Sequence, residues 1–211
     1  MGTAPFLPGL ILALAVWILS LAVRFLPGRI LSAIAGRAPW LPGWGPWIRS
    51  VLLPYIGLLA GWISSRDFGL GGHTPVEWLI GAAAAVVLGI ILGKMSIRFS
   101  AAFGWGVVGD EARWTLYRAA VWPWAGFLPL AVAAAFAAAF AEFAWERKLG
   151  GEKLFDEVGW LFLVHAACSA VLFLLAHNFF LAMLMYLTAV ITSTPDIRFR
   201  IKTLLDKIKK K

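Results

Sequence analysis

Charge is scarce in this chain. Of its 211 residues only 14% are Asp, Glu, Lys or Arg, where soluble domains carry about 25%. Apolar residues make up 61%, more than a water-soluble fold of this size hides in one core, so a soluble domain is excluded. Cysteine is nearly absent. The lone Cys168 rules out an intrachain disulfide and any Cys-x-x-Cys redox or metal motif. The three histidines form no His-Glu-x-x-His, and no glycine loop has the spacing of a phosphate cradle. The sequence therefore offers no metal-ligand set and names no cofactor. No Lys or Arg precedes the first apolar run, so the charged start of a cleavable secretory signal is missing.

What is abundant is apolar span and aromatic belt. Twelve Trp and fifteen Phe suit a chain that meets both lipid tails and the lipid–water interface. Apolar spans are expected at about 8–25, 48–63, 76–92 and 125–145, with one long stretch at 158–192. Pro54 interrupts the second of these. The connector 26–49 opens with a short amphipathic run, Arg29–Ala35. It then passes Pro39, Pro42, Gly43, Gly45 and Pro46, with Trp40, Trp44 and Trp47 interleaved as a surface belt. Thr74-Pro75-Val76-Glu77 reads as a helix start: a cap, a proline in the first turn and the acid of a capping box. His73 is read as a surface loop residue. Gly89-x-x-x-Gly93 gives the third span a small-residue face for close helix packing, and the Ala-rich fourth span is its expected neighbour at the bundle centre. Glu142, near the end of that span, is expected to reach the interface.

The stretch 158–192 would make roughly 50 Å of helix, against a hydrocarbon core of about 30 Å. Positive charge argues for one long tilted helix over a break at His177-Asn178. With five spans and the N-terminus outside, fifteen Lys and Arg fall inside and four outside (Arg66, Arg147, Lys148 and Lys153). The expected fold is thus an all-α polytopic bundle of about five spans with interfacial amphipathic helices. Residues 1–192 form a single transmembrane domain and 193–211 a basic cytoplasmic tail. In the tail, Ile197, Ile201, Leu204, Leu205 and Ile208 make an apolar stripe. Arg198, Arg200, Lys202, Lys207, Lys209, Lys210 and Lys211 face anionic headgroups. The net charge of +8 is therefore assigned to a lipid surface and not to nucleic acid. The expected location is a prokaryotic cytoplasmic membrane.

One segment differs from the rest. Gly109–Trp124 packs Asp110, Glu111, Arg113 and Arg118 between two apolar spans. Glu111 and Arg118 are seven residues apart, two turns, and so share a face. Trp114, Tyr117, Val121 and Trp122 fall on another. A helix near 109–122, aromatic on one side and charged on the other, is expected to lie in the membrane interface.

Few side chains can carry chemistry. Glu111 with His177 is the candidate catalytic pair. His165 and His177 lie inside apolar sequence, where ionisable groups are costly, and are the candidate ligands of a pigment or haem. His165, Cys168 and Ser169 share a helical face, and a thiol beside an imidazole has the elements of an activated nucleophile. Bridging hydrogen bonds between helices are the structural alternative for His177-Asn178.

The order of features resembles the CPBP family of prokaryotic membrane proteins, the CAAX-protease and bacteriocin-processing group. Asp67-Phe68-Gly69-Leu70 precedes a span. Asp110-Glu111 stands where the family's paired acids open a helix, Trp114 takes the place of an aromatic, and His177 stands for the final histidine. The resemblance covers about residues 50–190 and implies a helical membrane bundle in which a glutamate activates water and histidines complete the site. Position 115 is Thr where the family has Arg, the fourth span has no histidine, and Leu181 follows His177 where an Asn would stand. The resemblance thus implies a degenerate, non-catalytic member that binds or scaffolds a membrane partner. Two other readings remain open: an accessory subunit of a larger membrane complex that ligates a pigment or haem, and an active intramembrane protease-like hydrolase.

Overall fold

The computed structural model describes residues 6–22, 36, 48–71, 74–98 and 106–194. The connector tryptophans, His73 and the basic tail from Pro195 onward lie outside the described residues. Among those described there are seven α-helices and no strand. They are α1 (Phe6–Ala22), α2 (Leu53–Leu59, entered through a π-helical turn at Ile48–Leu52), α3 (Pro75–Arg98), α4 (Gly106–Ala125), α5 (Leu128–Leu149), α6 (Glu157–Ala176) and α7 (Phe179–Ser193). The chain is an all-α bundle. Three helices, α3, α5 and α6, are long and apolar enough to cross a membrane, and α1, α2 and α7 are shorter apolar helices.

The bundle is organised inside out. Leu79, Val87 and Ile91 of α3, Leu130 of α5 and Leu175 of α6 are exposed, whereas Glu111, Arg118, His165, Ser169 and Asn178 are buried. In water such an outer surface would be a very large apolar patch. Against lipid tails it costs nothing, and the helices satisfy their own backbone groups.

Local sequence rules set several ends. The capping box forms as expected: Glu77 accepts from the Thr74 N–H at 2.7 Å, and Thr74 Oγ1 accepts from the Glu77 N–H at 3.3 Å. Pro54 is accommodated because α2 starts at Leu53, which puts the ring in the first turn, where no intrahelical N–H is needed. Asp156 caps α6 by accepting from the Gly159 N–H at 2.9 Å.

Three expectations are corrected. First, the stretch 158–192 is broken, not one long helix. His177 ends α6 with a left-handed φ of 43°, and Asn178 restarts the chain by accepting from the N–H groups of Phe180 and Leu181. A continuous helix would hold His165 and Tyr186 about 31 Å apart. They are hydrogen-bonded at 2.6 Å, so α7 folds back beside α6. Charge counting missed this because an Asn cap in an apolar run carries no charge.

Second, α4 does not lie on the surface. Residues 111–120 are all buried, enclosed by α1, α5, α6 and α7. The polar face that suggested contact with water is matched by polar groups on neighbouring helices. Glu142 likewise is buried, held by Arg113 and Tyr117 of α4.

Third, the Gly89 and Gly93 face meets α7 and not the Ala-rich span. A Cβ on Gly89 would lie 2.5 Å from Met185 O and 2.6 Å from Thr188 Cβ, and Gly93 faces Thr192. This close approach makes α3 and α7 the most extensively packed pair, with Leu92, Leu181 and Met185 filling the seam. The Ala-rich α5 packs instead on α4 and α6.

The ends sort into two sets. Gly9 abuts the Trp62 carbonyl, Gly69 O accepts from the Phe179 N–H at 3.0 Å, and Trp122 rests on His177. These contacts gather the start of α1, the loop after α2, the end of α4 and the α6–α7 turn. At the other end Gly109 meets Ser50 and Gly93 meets Thr192.

Candidate functional site

The bundle centre holds a carboxylate surrounded by donors. Glu111 is fully buried on α4. Its Oε1 accepts from Arg118 Nη2, two turns along the same helix, and from Thr115 Oγ1 at 3.3 Å. Its Oε2 accepts from Ser169 Oγ of α6 at 2.6 Å and from Tyr186 Oη of α7 at 2.7 Å. Four donors from three helices therefore occupy both oxygens. The expected shared face of Glu111 and Arg118 is realised as an ion pair.

His165 of α6 joins this network through the tyrosine. Its Nε2 lies 2.6 Å from Tyr186 Oη. The single Tyr186 proton goes to the carboxylate, which as an anion only accepts, so the His165 Nε2–H must donate to the phenol oxygen. That fixes the tautomer. The imidazole is held between Trp114, at 4.7 Å between ring centroids, and Tyr186, at 4.8 Å.

Arg118 has further ties. Its Nε donates to Trp114 O at 3.3 Å, Nη2 lies 3.2 Å from Thr115 Oγ1, and the guanidinium covers the Phe173 ring at 4.1 Å. Its Nη1 is buried with no hydrogen-bond partner among the described residues, and so is Trp114 Nε1. Both residues line a small cleft between α4, α5 and α6, completed by Ala135, Ala139, Ala166 and Ser169. Its volume of about 10 Å³ is room for the centre of one water.

A second ionic cluster sits at the same level on another face of α4. Arg113 reaches Asp110 at 2.9 Å and Glu142 of α5 at 3.1 Å, and Tyr117 Oη donates to Glu142. A third closes the loop between α5 and α6, where Arg147 pairs with Glu152 and Asp156 and donates to the Lys153 carbonyl. The Gly159 N–H, with Arg147 adding to the effect, stabilises the Asp156 anion and lowers its carboxyl below the ordinary value.

The sequence candidates divide. Glu111 and His165 are brought into one network. His177 is not: it caps α6, its ring set edge-on to Trp122 at 4.2 Å and Phe173 at 4.8 Å. The geometry joins Glu111 to His165 through Tyr186 and leaves His177 outside that network. Cys168 packs in the apolar cluster with Leu92 and Leu172, and its neighbour Ser169 is the residue that meets the carboxylate. Tyr186 and Ser169 had no assigned partner in the sequence. The available signal was a hydroxyl in an apolar run, which needs a hydrogen-bond partner when buried. Among the described residues no three His, Cys, Asp or Glu side chains are placed to hold a metal ion. No protein-family model, curated protein or solved structure matches the chain.

Proposed function

We propose that this chain is an integral membrane protein resembling a degenerate, non-catalytic CPBP-family member, and that it binds or scaffolds a partner within the membrane. One observation carries the reading: both oxygens of Glu111 are occupied by Arg118, Thr115, Ser169 and Tyr186. A general base must hold a lone pair toward the proton it removes, directly or through one water. Here the protein's own groups take those positions, and the carboxylate ties α4 to α6 and α7. The hydrolase alternative draws on the Tyr186 bridge between Glu111 and His165, which brings an acid and an imidazole to one hydroxyl. The pigment-binding alternative finds less support, since His165 Nε2 is engaged by Tyr186.

The seven helices support a revised topology. Counting each as one pass, with the N-terminus outside a prokaryotic cytoplasmic membrane, the basic residues sort sharply. Arg24, Arg29, Arg37, Arg49, Lys94, Arg98, Arg147, Lys148, Lys153 and the seven tail residues fall inside, and Arg66 falls outside. Arg113 and Arg118 belong to the core. This asymmetry is sharper than five spans provide, and it keeps the basic tail against anionic headgroups on the cytoplasmic face.

The test is purification from native membranes in mild detergent, comparing wild type with Glu111→Gln and recording bound proteins and the visible spectrum. A structural carboxylate predicts a colourless wild type with a co-purifying membrane protein that is lost, with stability, from the variant. A variant that stays folded and retains an uncleaved substrate would replace this reading with the hydrolase. A visible absorption band would replace it with the pigment-binding subunit.

A further inference from the structure

We propose that α4 and α5 enter the membrane together as a helical hairpin, and that Glu142 is the contact by which the apolar helix carries the charged one across. This rests on the seven-pass topology above and gives the second ionic cluster a role. α4 holds Asp110, Glu111, Arg113 and Arg118 within nine residues. Among the described residues it is not one of the helices apolar enough to cross a membrane. A charge at mid-bilayer costs more than several leucine or valine residues return, so apolar content alone does not hold α4 across. Pairs within the helix, Asp110 with Arg113 and Glu111 with Arg118, offset part of that cost. The rest must come from another helix. Ser169 and Tyr186 lie on α6 and α7, which are synthesised later. α5 follows at once.

The geometry is that of a hairpin. Gly126 and Phe127 alone separate the two helices, and Gly126 turns the chain back with a φ of 61°. Ala119 and Ala120 of α4 share one apolar cluster with Ala135 and Ala139 of α5. Across the same seam Arg113 reaches Glu142 at 3.1 Å, and Tyr117 Oη donates to that carboxylate. Glu142 is 3% exposed, and it sits on a helix that is itself apolar enough to cross. Positive charge then sets the direction. Lys94 and Arg98 end α3, and Arg147 and Lys148 end α5. Keeping both ends on the cytoplasmic side requires α4 to cross between them. A chain that leaves α4 behind must turn α5 over and carry Arg147, Lys148 and Lys153 outward.

The test reads topology in the full chain. Cys168 is replaced by Ala, and one new thiol is placed by Phe127→Cys or by Lys153→Cys. Labelling with an impermeant maleimide in intact cells is scored per chain as a gel shift. In wild type, position 127 should react and position 153 should not. Glu142→Leu takes the α5 partner from Arg113. The ratio of inverted chains, reactive at 153 and protected at 127, to correct ones should then rise roughly threefold to tenfold, the worth of one interhelical polar contact in lipid. Arg113→Leu combined with Glu142→Leu removes the charge that needs the partner and should restore the wild-type pattern. Weaker packing in a bundle already inserted does not change which side a residue faces, so a merely structural Glu142 would leave the labelling constant. Glu142→Leu that labels as wild type does, or inversion that persists in the double variant, overturns the proposal. Inversion already present in wild type overturns the seven-pass topology and the proposal with it, and is distinct from those two results.

Discussion

Tyr186 stands between a buried carboxylate and a histidine, and its hydroxyl serves both. Removing it strands a donor on His165 and uncovers part of Glu111. Tyr186→Phe is therefore expected to lower stability by about 1–3 kcal/mol, the range for leaving a buried polar group unsatisfied. Chemical denaturation in detergent checks this, and a change within error would show the bond to be dispensable. Asp156 offers a pH test at the same scale. Its folded pKa is lowered by the Gly159 N–H and Arg147. Its contribution is therefore fully present above the ordinary carboxylate range near 3.8 and is lost as pH falls through the lower folded value. Stability of wild type relative to Asp156→Ala should be constant from neutral pH down to that range and converge below it. Sequence reasoning found Glu111 and Arg118 because they stand two turns apart on one face of a charged segment, and His165 because it is an ionisable group in apolar sequence. It missed Tyr186, and the partner of Ser169, because a hydroxyl is common in membrane helices and shows its partner only once the helices fold together.

Helix starts were legible wherever capping chemistry is local. Thr74 and Glu77 mark the start of α3 in four residues, and the break at Asn178 uses equally local chemistry that the charge count overrode. Asn178 accepts two backbone N–H bonds and is 1% exposed. Asn178→Ala should cost about 1 kcal/mol, in the usual range for a lost N-cap, and loosen the α6–α7 turn, seen as faster amide exchange at Phe180 and Leu181. Unchanged exchange would mean that Gly69 and its backbone bond to Phe179 hold the turn alone. The glycine face of α3 was read correctly as a packing surface but given the wrong neighbour, since small residues declare closeness and not identity. Gly89→Leu would press on Met185 O and Thr188. It should unfold the α3–α7 pair within one chain, so its loss of any assembly would be secondary to misfolding. A far-ultraviolet melt of Gly89→Leu that matches wild type would refute that.

At the scale of the whole molecule, composition established an all-α membrane bundle, and the number of helices needed the structure. Among the described residues, five apolar runs became seven α-helices because α4 carries charges that partner within the bundle and because 158–192 folds back on itself. The revised topology places Ser65 and Lys153, both exposed, on opposite sides, where five spans would place them on the same side. Ser65→Cys should react with an impermeant maleimide in intact cells, and Lys153→Cys only after permeabilisation. Labelling of both in intact cells would restore the five-span arrangement.

The account turns on whether Glu111 holds the bundle together or waits to do chemistry, and stability separates these directly. A buried ion pair that loses one partner typically loses about 3–5 kcal/mol, whereas replacing both partners with apolar groups is nearly neutral. The decisive measurement is the unfolding free energy, in one detergent, of wild type, Glu111→Gln and the double variant Glu111→Leu/Arg118→Met. The account predicts a loss of about 3–5 kcal/mol for Glu111→Gln and recovery of most of it in the double variant. Glu111→Gln as stable as wild type, or more so, would contradict it and mark Glu111 as a residue kept for function at stability's expense.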